Sequence, residues 1–395
     1  MEVSAVKVIG VGMIKFAKPG AHEPYEIMAS KAIHAALADA DIDYGAVQQA
    51  FASYVFGDSA CGQVALYRVG MSGIPVVNVN NNCSSGSSAL LLARQAVLSG
   101  QVDCALAFGF EEMRPGALGS AWDDRTSPLL ELERILEEQV PGVMSAPNAL
   151  RLFGSAALAY IDKTGANPDI FARVAVKTRN HALMNPLAIF DKPISVEEVL
   201  QSPMIFPPYL TRLEACPPSC GAAAAIVCSA EFARRHGLLS RSVSILAQAM
   251  TTDRDARNRN PIDLAGADMT RNASAQVYEQ AGIGPEDVDV VELHDCFTSN
   301  EVITYEGLGL CGEGGAEEMI NLGDNTYGGK YVVNPSGGLM SKGHPLGATG
   351  LAQCTELVTH LRGEAGRRQV KGARLALQHN LGLGGACVVT LYGRS

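Results

Sequence analysis

Aromatic residues make up only 6 % of the 395 residues, with a single Trp, and no run of Lys and Arg is present. The balance is acidic, 31 Lys and Arg against 41 Asp and Glu, a formal charge of −10. Phosphate contacts need clustered basic side chains and base stacking needs aromatics, so a nucleic-acid partner is excluded on both counts. No C-x-x-C pair exists among the ten cysteines, so neither a zinc ribbon nor a thioredoxin-like motif is expected, and the thiols are expected to be reduced. The longest uncharged stretches, around 75–93 and 375–393, are broken by Asn, His and Gly, which excludes a membrane span. The opening MEVSAVKVIGVGMIKF lacks the order of a signal peptide and the closing YGRS is not the S-K-L address, so a cytoplasmic location is expected.

What is abundant is apolar surface, 47 % of residues, and glycine, 41 residues. The first allows large cores, and the length suggests two or three folding units. The second suits tight turns and close backbone approach.

The pattern along the chain is that of an α/β protein. VKVIGVGM (6–13), PVVNVNN (75–81) and CALAFGFE (104–111) read as buried strands; 26–40 and 85–100 read as helices, the second ending at Gly100. Strands alternating with helices imply a parallel sheet covered on both faces. The second half repeats the grammar. Residues 30–56 and 274–297 both give a helix, a turn, an acidic short helix and a strand. Likewise, Cys83 and then His344 each stand before a helix that leads to a strand, 104–111 and 374–380. A duplicated unit follows, with two sheets sharing helices in layers. Between the halves, 112–150 is rich in Pro and Gly (Pro115, Gly116 and Gly119 among them) and carries the charged run ELERILEEQ. Two helical segments follow, then a helix opened by the capping box Ser195-x-x-Glu198, and 215–229 returns to the first core. Excursions of this kind serve as lids or ligand-binding loops.

Four polar segments fall at strand ends or loops: NNNCSSGS (80–87), HDCF (294–297), GHPLGATG (343–350) and QHNLGLGG (378–385). Cys83 follows a strand and opens a helix, where the helix dipole favours a thiolate and the turn exposes the sulfur. A small buried thiol is the alternative. His344 would take the thiol proton and then stabilise an oxyanion, or simply cap a turn. Cys296 would serve as an acid/base; His294 is a donor or a satisfied core histidine; Asp295 reads as the N-cap of TSNEVITYEGLG. Gly382 would offer a backbone N–H to an oxyanion. Lys342 reads as a solvated charge; Lys177 and Arg179 read either as cations for a ligand's phosphates or as an ordinary solvated helix face.

Together, and in this order, HDCF, NPSGGLMSKGHPLGATG and QHNLGLGG resemble the thiolase superfamily, specifically its sterol-carrier-protein (SCP-x) type, over essentially the whole chain. The resemblance implies the thiolase fold: duplicated βαβαβαββ halves in five αβαβα layers with an inserted loop domain. The expected bounds are 1–115 and 211–240 for the first half, 116–210 for the insertion and 241–395 for the second half. Cys83 matches the acyl-accepting nucleophile and His344 the histidine that activates it. His294 replaces the Asn that holds a catalytic water in better-known thiolases. Asn380 stands where those enzymes carry an acid/base Cys, so Cys296 is implied as its substitute.

The implied activity is thiolysis of a 3-ketoacyl-CoA, or the reverse Claisen condensation, with coenzyme A as co-substrate and neither metal nor prosthetic group. A homodimer or dimer of dimers is implied as well. The alternatives are a ketoacyl-synthase-like condensing enzyme, and a non-catalytic lipid-handling relative or subunit of a retro-aldolase complex.

Overall fold

The computed structural model describes residues 6–114, 124–255 and 259–394; Pro115, Gly116 and Gly119 lie outside them. The first half supplies β1 (Val6–Met13), β2 (Gln49–Ser53), β3 (Val76–Val79) and β4 (Cys104–Glu111). A long excursion contains the small hairpin of β5 (Met204–Phe206) and β6 (Leu210–Thr211), after which β7 (Gly221–Cys228) returns to the first half. The second half supplies β8 (Val243–Thr251), β9 (Val290–Glu292), β10 (Val332–Val333), β11 (Leu375–Gly382) and β12 (Ala386–Arg394).

The strand order exposes the duplication. It runs β10-β9-β11-β12-β8-β1-β7-β4-β2-β3, so each half repeats one sequence of neighbours read outward from β1 or β8. The two expected sheets are joined into one ladder by only three residue pairs, Val6↔Ile245, Lys7↔Ser244 and Val8↔Val243. Pairing is mixed rather than all parallel. β2, β3 and β4 run parallel, as do β9, β10 and β11, but β7 and β12 lie antiparallel to their neighbours. The reason is local in the second half, where β11 turns straight back into β12 without a crossover helix.

Alternation along the strands makes the layers. In β4, Ala105 and Ala107 face a core shared with helices Ser85–Leu98 and Leu346–Arg362, whereas Leu106 and Phe108 face helix Tyr25–Ala40. Both faces are covered, so the strands read as unbroken apolar runs. Helices Ser85–Leu98 and Leu346–Arg362 pack on each other, and the second touches strands of both halves. Helix Ala267–Ala281 covers β8 and β12 on the far side. The result is helix, sheet, helix pair, sheet, helix.

The two helical segments expected in the excursion form, as Asn148–Thr164 and Asp169–Ala182, and the charged run before them is a helix as well, Leu130–Gln139. The capping box at Ser195 is present, Ser195 Oγ accepting from Glu198 N, although its helix is only Val196–Leu200. The excursion does not merely hang from the first half. Phe153, Ile170 and Phe171 share one buried cluster with Val302, Ile303 and Tyr305 of the second half. Phe153 stacks on Phe297 at 5.3 Å between ring centroids, which brings the insertion within one residue of Cys296.

Candidate active site

Three asparagines carry the chain from β3 to Cys83. Asn82 takes a left-handed conformation (φ 51°), which Asn tolerates better than most residues. Its amide donates to the Leu383 carbonyl at 3.1 Å, tying the Cys83 loop to the β11–β12 turn of the other half. Gly382 lies at the same seam: a Cβ there would come within 2.2 Å of the Asn81 carbonyl oxygen. Cys83 Sγ donates weakly to Asn82 Oδ1 at 3.6 Å, and the residue stays partly accessible.

His344 precedes helix Leu346–Arg362. Its backbone N–H donates to Ser219 Oγ (3.0 Å), and its Nδ1 lies 2.7 Å from Thr349 Oγ1. The Thr349 hydroxyl proton is already given to the Pro345 carbonyl (2.9 Å). Thr349 must therefore accept, which places the ring proton on Nδ1 and a lone pair on Nε2. That Nε2 is buried and has no partner, the condition of a base awaiting a proton.

His294 follows β9 and meets His344 edge-on, with centroids 5.0 Å apart and planes at 83°. Its Nδ1 lies 3.1 Å from Asn380 Nδ2. Cys83 Sγ and one ring nitrogen from each histidine fall within 4.8 Å of one another. The structure thus brings Cys83, His294, His344 and Gly382 to one place, from both halves. Cys296 joins them: it is buried, its carbonyl accepts from Cys216 N–H at 2.9 Å, and its thiol interacts electrostatically with those of Cys216 and Cys83.

The electrostatics differ from the expectation of a ready thiolate. Burial, and after it the Glu111 carboxylate, pushes the Cys83 thiol up to about 12. Burial and the Lys342 ammonium push His344 down to about 3. His294 is held well below the ordinary imidazole range by burial, then by His344 and His379. Cys296 is raised well above an ordinary thiol by burial and then by the other thiols. Desolvation outweighs the helix end at Cys83. The resting pair is a thiol beside a neutral imidazole, not a thiolate beside an imidazolium. Alkylation of Cys83 in the free protein is accordingly expected to accelerate about tenfold per pH unit through neutrality; a rate already on a plateau at neutral pH, read by iodoacetamide mass labelling, would contradict this.

Four sequence expectations are corrected. Asp295 does not cap the helix Thr298–Gly307, whose N-cap is Phe297; it accepts instead from Leu339 N–H (2.7 Å) and Met340 N–H (3.4 Å), holding the segment that leads to His344. Lys342 is 1 % exposed and pairs with buried Glu292 at 3.4 Å. Lys177 is buried on Glu301. Arg179 is buried too, donating to Ser341 Oγ at 3.1 Å and lying 4.1 Å over the Phe190 ring. A lone basic residue in a sequence does not disclose an acid folded against it from far along the chain. Sequence reasoning also passed over Cys216, whose signal was its place before two prolines, and Glu111. The Glu111 carboxylate accepts from the N–H groups of Val55, Phe56 and Gly347, which clamps the two halves behind Cys83.

Comparison with known proteins agrees along the whole chain. A family model for the N-terminal thiolase domain matches residues 6–204 and one described as thiolase C-terminal domain-like matches 250–392. Sterol carrier protein 2 of Oryctolagus cuniculus is 52 % identical over 392 residues, covering 98 % of this chain and 71 % of that protein. An acetyl-CoA acetyltransferase of Methanothermobacter thermautotrophicus is 34 % identical over 395 residues, covering 98 % and 99 %. Among solved structures, the Ltp2-ChsH2(DUF35) aldolase shares the fold with a TM-score of 0.85 at 23 % identity, covering 100 % of this chain and 99 % of that one. A cysteine from one half of a duplicated fold met by histidines from the other, in a chain matched by these models and relatives from end to end, makes this protein a member of the thiolase family.

Proposed function

We propose that the chain is a catalytic thiolase acting on acyl-CoA thioesters, cleaving a 3-ketoacyl-CoA with coenzyme A or running the reverse Claisen condensation. The observation that supports this most is the unpartnered lone pair of buried His344 Nε2, in a cluster where the Cys83 sulfur and one ring nitrogen of each of His344 and His294 lie within 4.8 Å of one another.

In the thiolytic direction, His344 Nε2 takes the Cys83 proton as the sulfur attacks the ketone carbon. The tetrahedral oxyanion lies against backbone N–H groups, those of Cys83 and Gly382. The bond between the α and β carbons breaks, leaving the acyl group on Cys83 and an acyl-CoA enolate. The enolate oxygen is met by His344 Nε2–H and by a water held on His294 Nε2–H. Cys296 protonates the enolate carbon, and the acyl-CoA so formed departs with the substrate's own coenzyme A, leaving the shortened acyl group on Cys83. Coenzyme A then enters, gives its thiol proton to the Cys296 thiolate and attacks the Cys83 thioester. The acyl-CoA leaves and Cys83 recovers its proton from His344. Each donor in so dry a site contributes about 3 kcal/mol, roughly a hundredfold in rate. Hydrogen bonds meet the enolate charge, so the scheme calls for coenzyme A as co-substrate and for no metal or prosthetic group. A ketoacyl synthase would use the same cysteine and two histidines; Cys296 next to them favours a reaction that needs a second thiol for proton transfer.

The insertion, from about 116 to 210, is assigned the wall of the acyl pocket, because its Phe153 stacks on Phe297 beside Cys296. The direct test is the isolated chain with acetoacetyl-CoA and longer 3-ketoacyl-CoA esters. Coenzyme A-dependent loss of the ketoacyl ester supports the reading; dependence on an acyl-carrier protein, or inactivity in both directions, refutes it.

A homodimer is part of the same proposal. The sheet ends at β3, where Val77 is 39 % exposed, whereas the opposite end, β10, is two buried residues. An exposed edge strand offers unpaired backbone groups that a second copy can extend. Light scattering is expected to return twice the chain mass of 41.6 kDa, and Val77→Pro is expected to shift the population to monomer. A wild-type monomer would contradict the assignment.

A further inference from the structure

Behind His294 lies a chain of buried hydrogen bonds in which every partner is committed. Tyr392 O–H donates to Gln378 Oε1 at 2.5 Å. The Gln378 amide therefore turns Nε2 the other way, donating to Ser87 Oγ (2.8 Å) and to the Gly350 carbonyl (2.7 Å). Ser87, having accepted, gives its own proton to Asn380 Oδ1 at 2.8 Å. That fixes the Asn380 amide, oxygen toward Ser87 and nitrogen toward His294. Gly350 closes the cage, since a Cβ there would stand 2.2 Å from Ser87 Oγ and 2.7 Å from Asn380 Oδ1. An amide nitrogen only donates. Facing it at 3.1 Å, His294 Nδ1 must be the lone pair, and the ring proton sits on Nε2.

We propose that Asn380, oriented by Ser87 and Gln378, is a positioning residue that locks His294 as a neutral Nε2–H donor, and that this lock withholds the Cys83–His294–His344 cluster from divalent metal ions. The rate consequence rests on the function proposed above; the metal consequence does not. The cluster has the makings of a soft metal site, a sulfur and two imidazoles within 4.8 Å, and His344 Nε2 already offers its lone pair. Three such ligands with an open fourth position suit zinc or cobalt. The missing element is a second lone pair. To expose it, His294 would have to move its proton to Nδ1 and point N–H at the N–H of Asn380. Metal-binding histidines have the opposite partner, an acceptor behind the ring, often a carboxylate.

The test is Asn380→Asp in the full chain, which keeps the shape and reverses the hydrogen bond. Nitrogen spectra of the protein with ring-labelled histidine are expected to show a protonated Nε2 on His294 in the wild type and a protonated Nδ1 in the variant. Cobalt(II) added to the variant is expected to give a sulfur-to-metal charge-transfer band that Cys83→Ser removes, with no such band in the wild type. Condensation is expected to fall about a hundredfold, while Cys83 still takes an acetyl group from acetyl-CoA, an exchange of one thioester for another that forms no enolate. Failure of wild-type Cys83 to acylate would count against the proposed function and leave the nitrogen and cobalt results standing. Should Asn380→Asp fail to fold, Ser87→Ala decides: it frees the amide to turn and is expected to give two tautomers. An unchanged Nε2–H in whichever variant is measured, or cobalt binding as tight in the wild type as in Asn380→Asp, overturns the proposal.

Discussion

Cys83→Ala is expected to lower thiolysis of a 3-ketoacyl-CoA by about 10⁴-fold or more and to end covalent acyl capture. Loss of the sulfur removes the nucleophile itself, so no partial contribution survives from its general base; His344 Nε2 is left with nothing to deprotonate. Neither neighbouring thiol is placed to take over. Cys296 is buried, and burial raises both it and Cys216 above an ordinary thiol. The fold is expected to survive. The seam around position 83 is held by Asn82 on Leu383 and by Ser84 Oγ on the Asn81 carbonyl, neither of which involves the thiol. A melting transition close to the wild type, with turnover gone, separates chemistry from stability. An acyl-enzyme persisting in this variant would defeat the assignment of the nucleophile.

Cys296→Ala is expected to slow exchange of the substrate α-proton with solvent by about 10²–10⁴-fold, while Cys83 continues to acylate. The argument is one of protonation state. Burial and the adjoining thiols keep Cys296 protonated through neutral pH, which is the form needed to deliver a proton to a departing enolate. It becomes a base only after that delivery, and coenzyme A restores its proton. Deuterium uptake into acetyl-CoA, followed by mass spectrometry, isolates this step from acyl transfer. Exchange at the wild-type rate would remove Cys296 from the mechanism.

The fold was legible because its signals are local. Strand Val6–Met13, helix Tyr25–Ala40, strand Cys104–Glu111 and the Ser195 capping box follow from hydrophobic period and cap chemistry within a few residues. The gathering of Cys83, His294 and His344 was legible for a related reason: each ends a strand or opens a helix, Cys83 after Asn82 and His344 after Gly343, and a duplicated sheet brings such ends together. What stayed hidden depends on partners distant in the chain. Lys177 and Glu301 are 124 residues apart, and Lys342 and Glu292 are 50 apart, so neither lysine reveals its burial. The thiolate expected at Cys83 failed for the same reason. Position at a helix start is visible in sequence; the desolvation that overrides it, and Glu111 from β4, are not. Asn380 was visible only as a residue out of pattern, and its task becomes clear once Ser87 and Gln378 are seen to orient it.

The central claim is that the sulfur at position 83 carries the acyl group. Rapid acid quench after mixing with acetyl-CoA, followed by peptide mapping, tests it without steady-state kinetics. The account predicts one acetyl group per chain, on the peptide containing Cys83 and released by added coenzyme A. An acetyl group found instead on Cys216 or Cys296, or turnover with no protein-bound acetyl group, would contradict it.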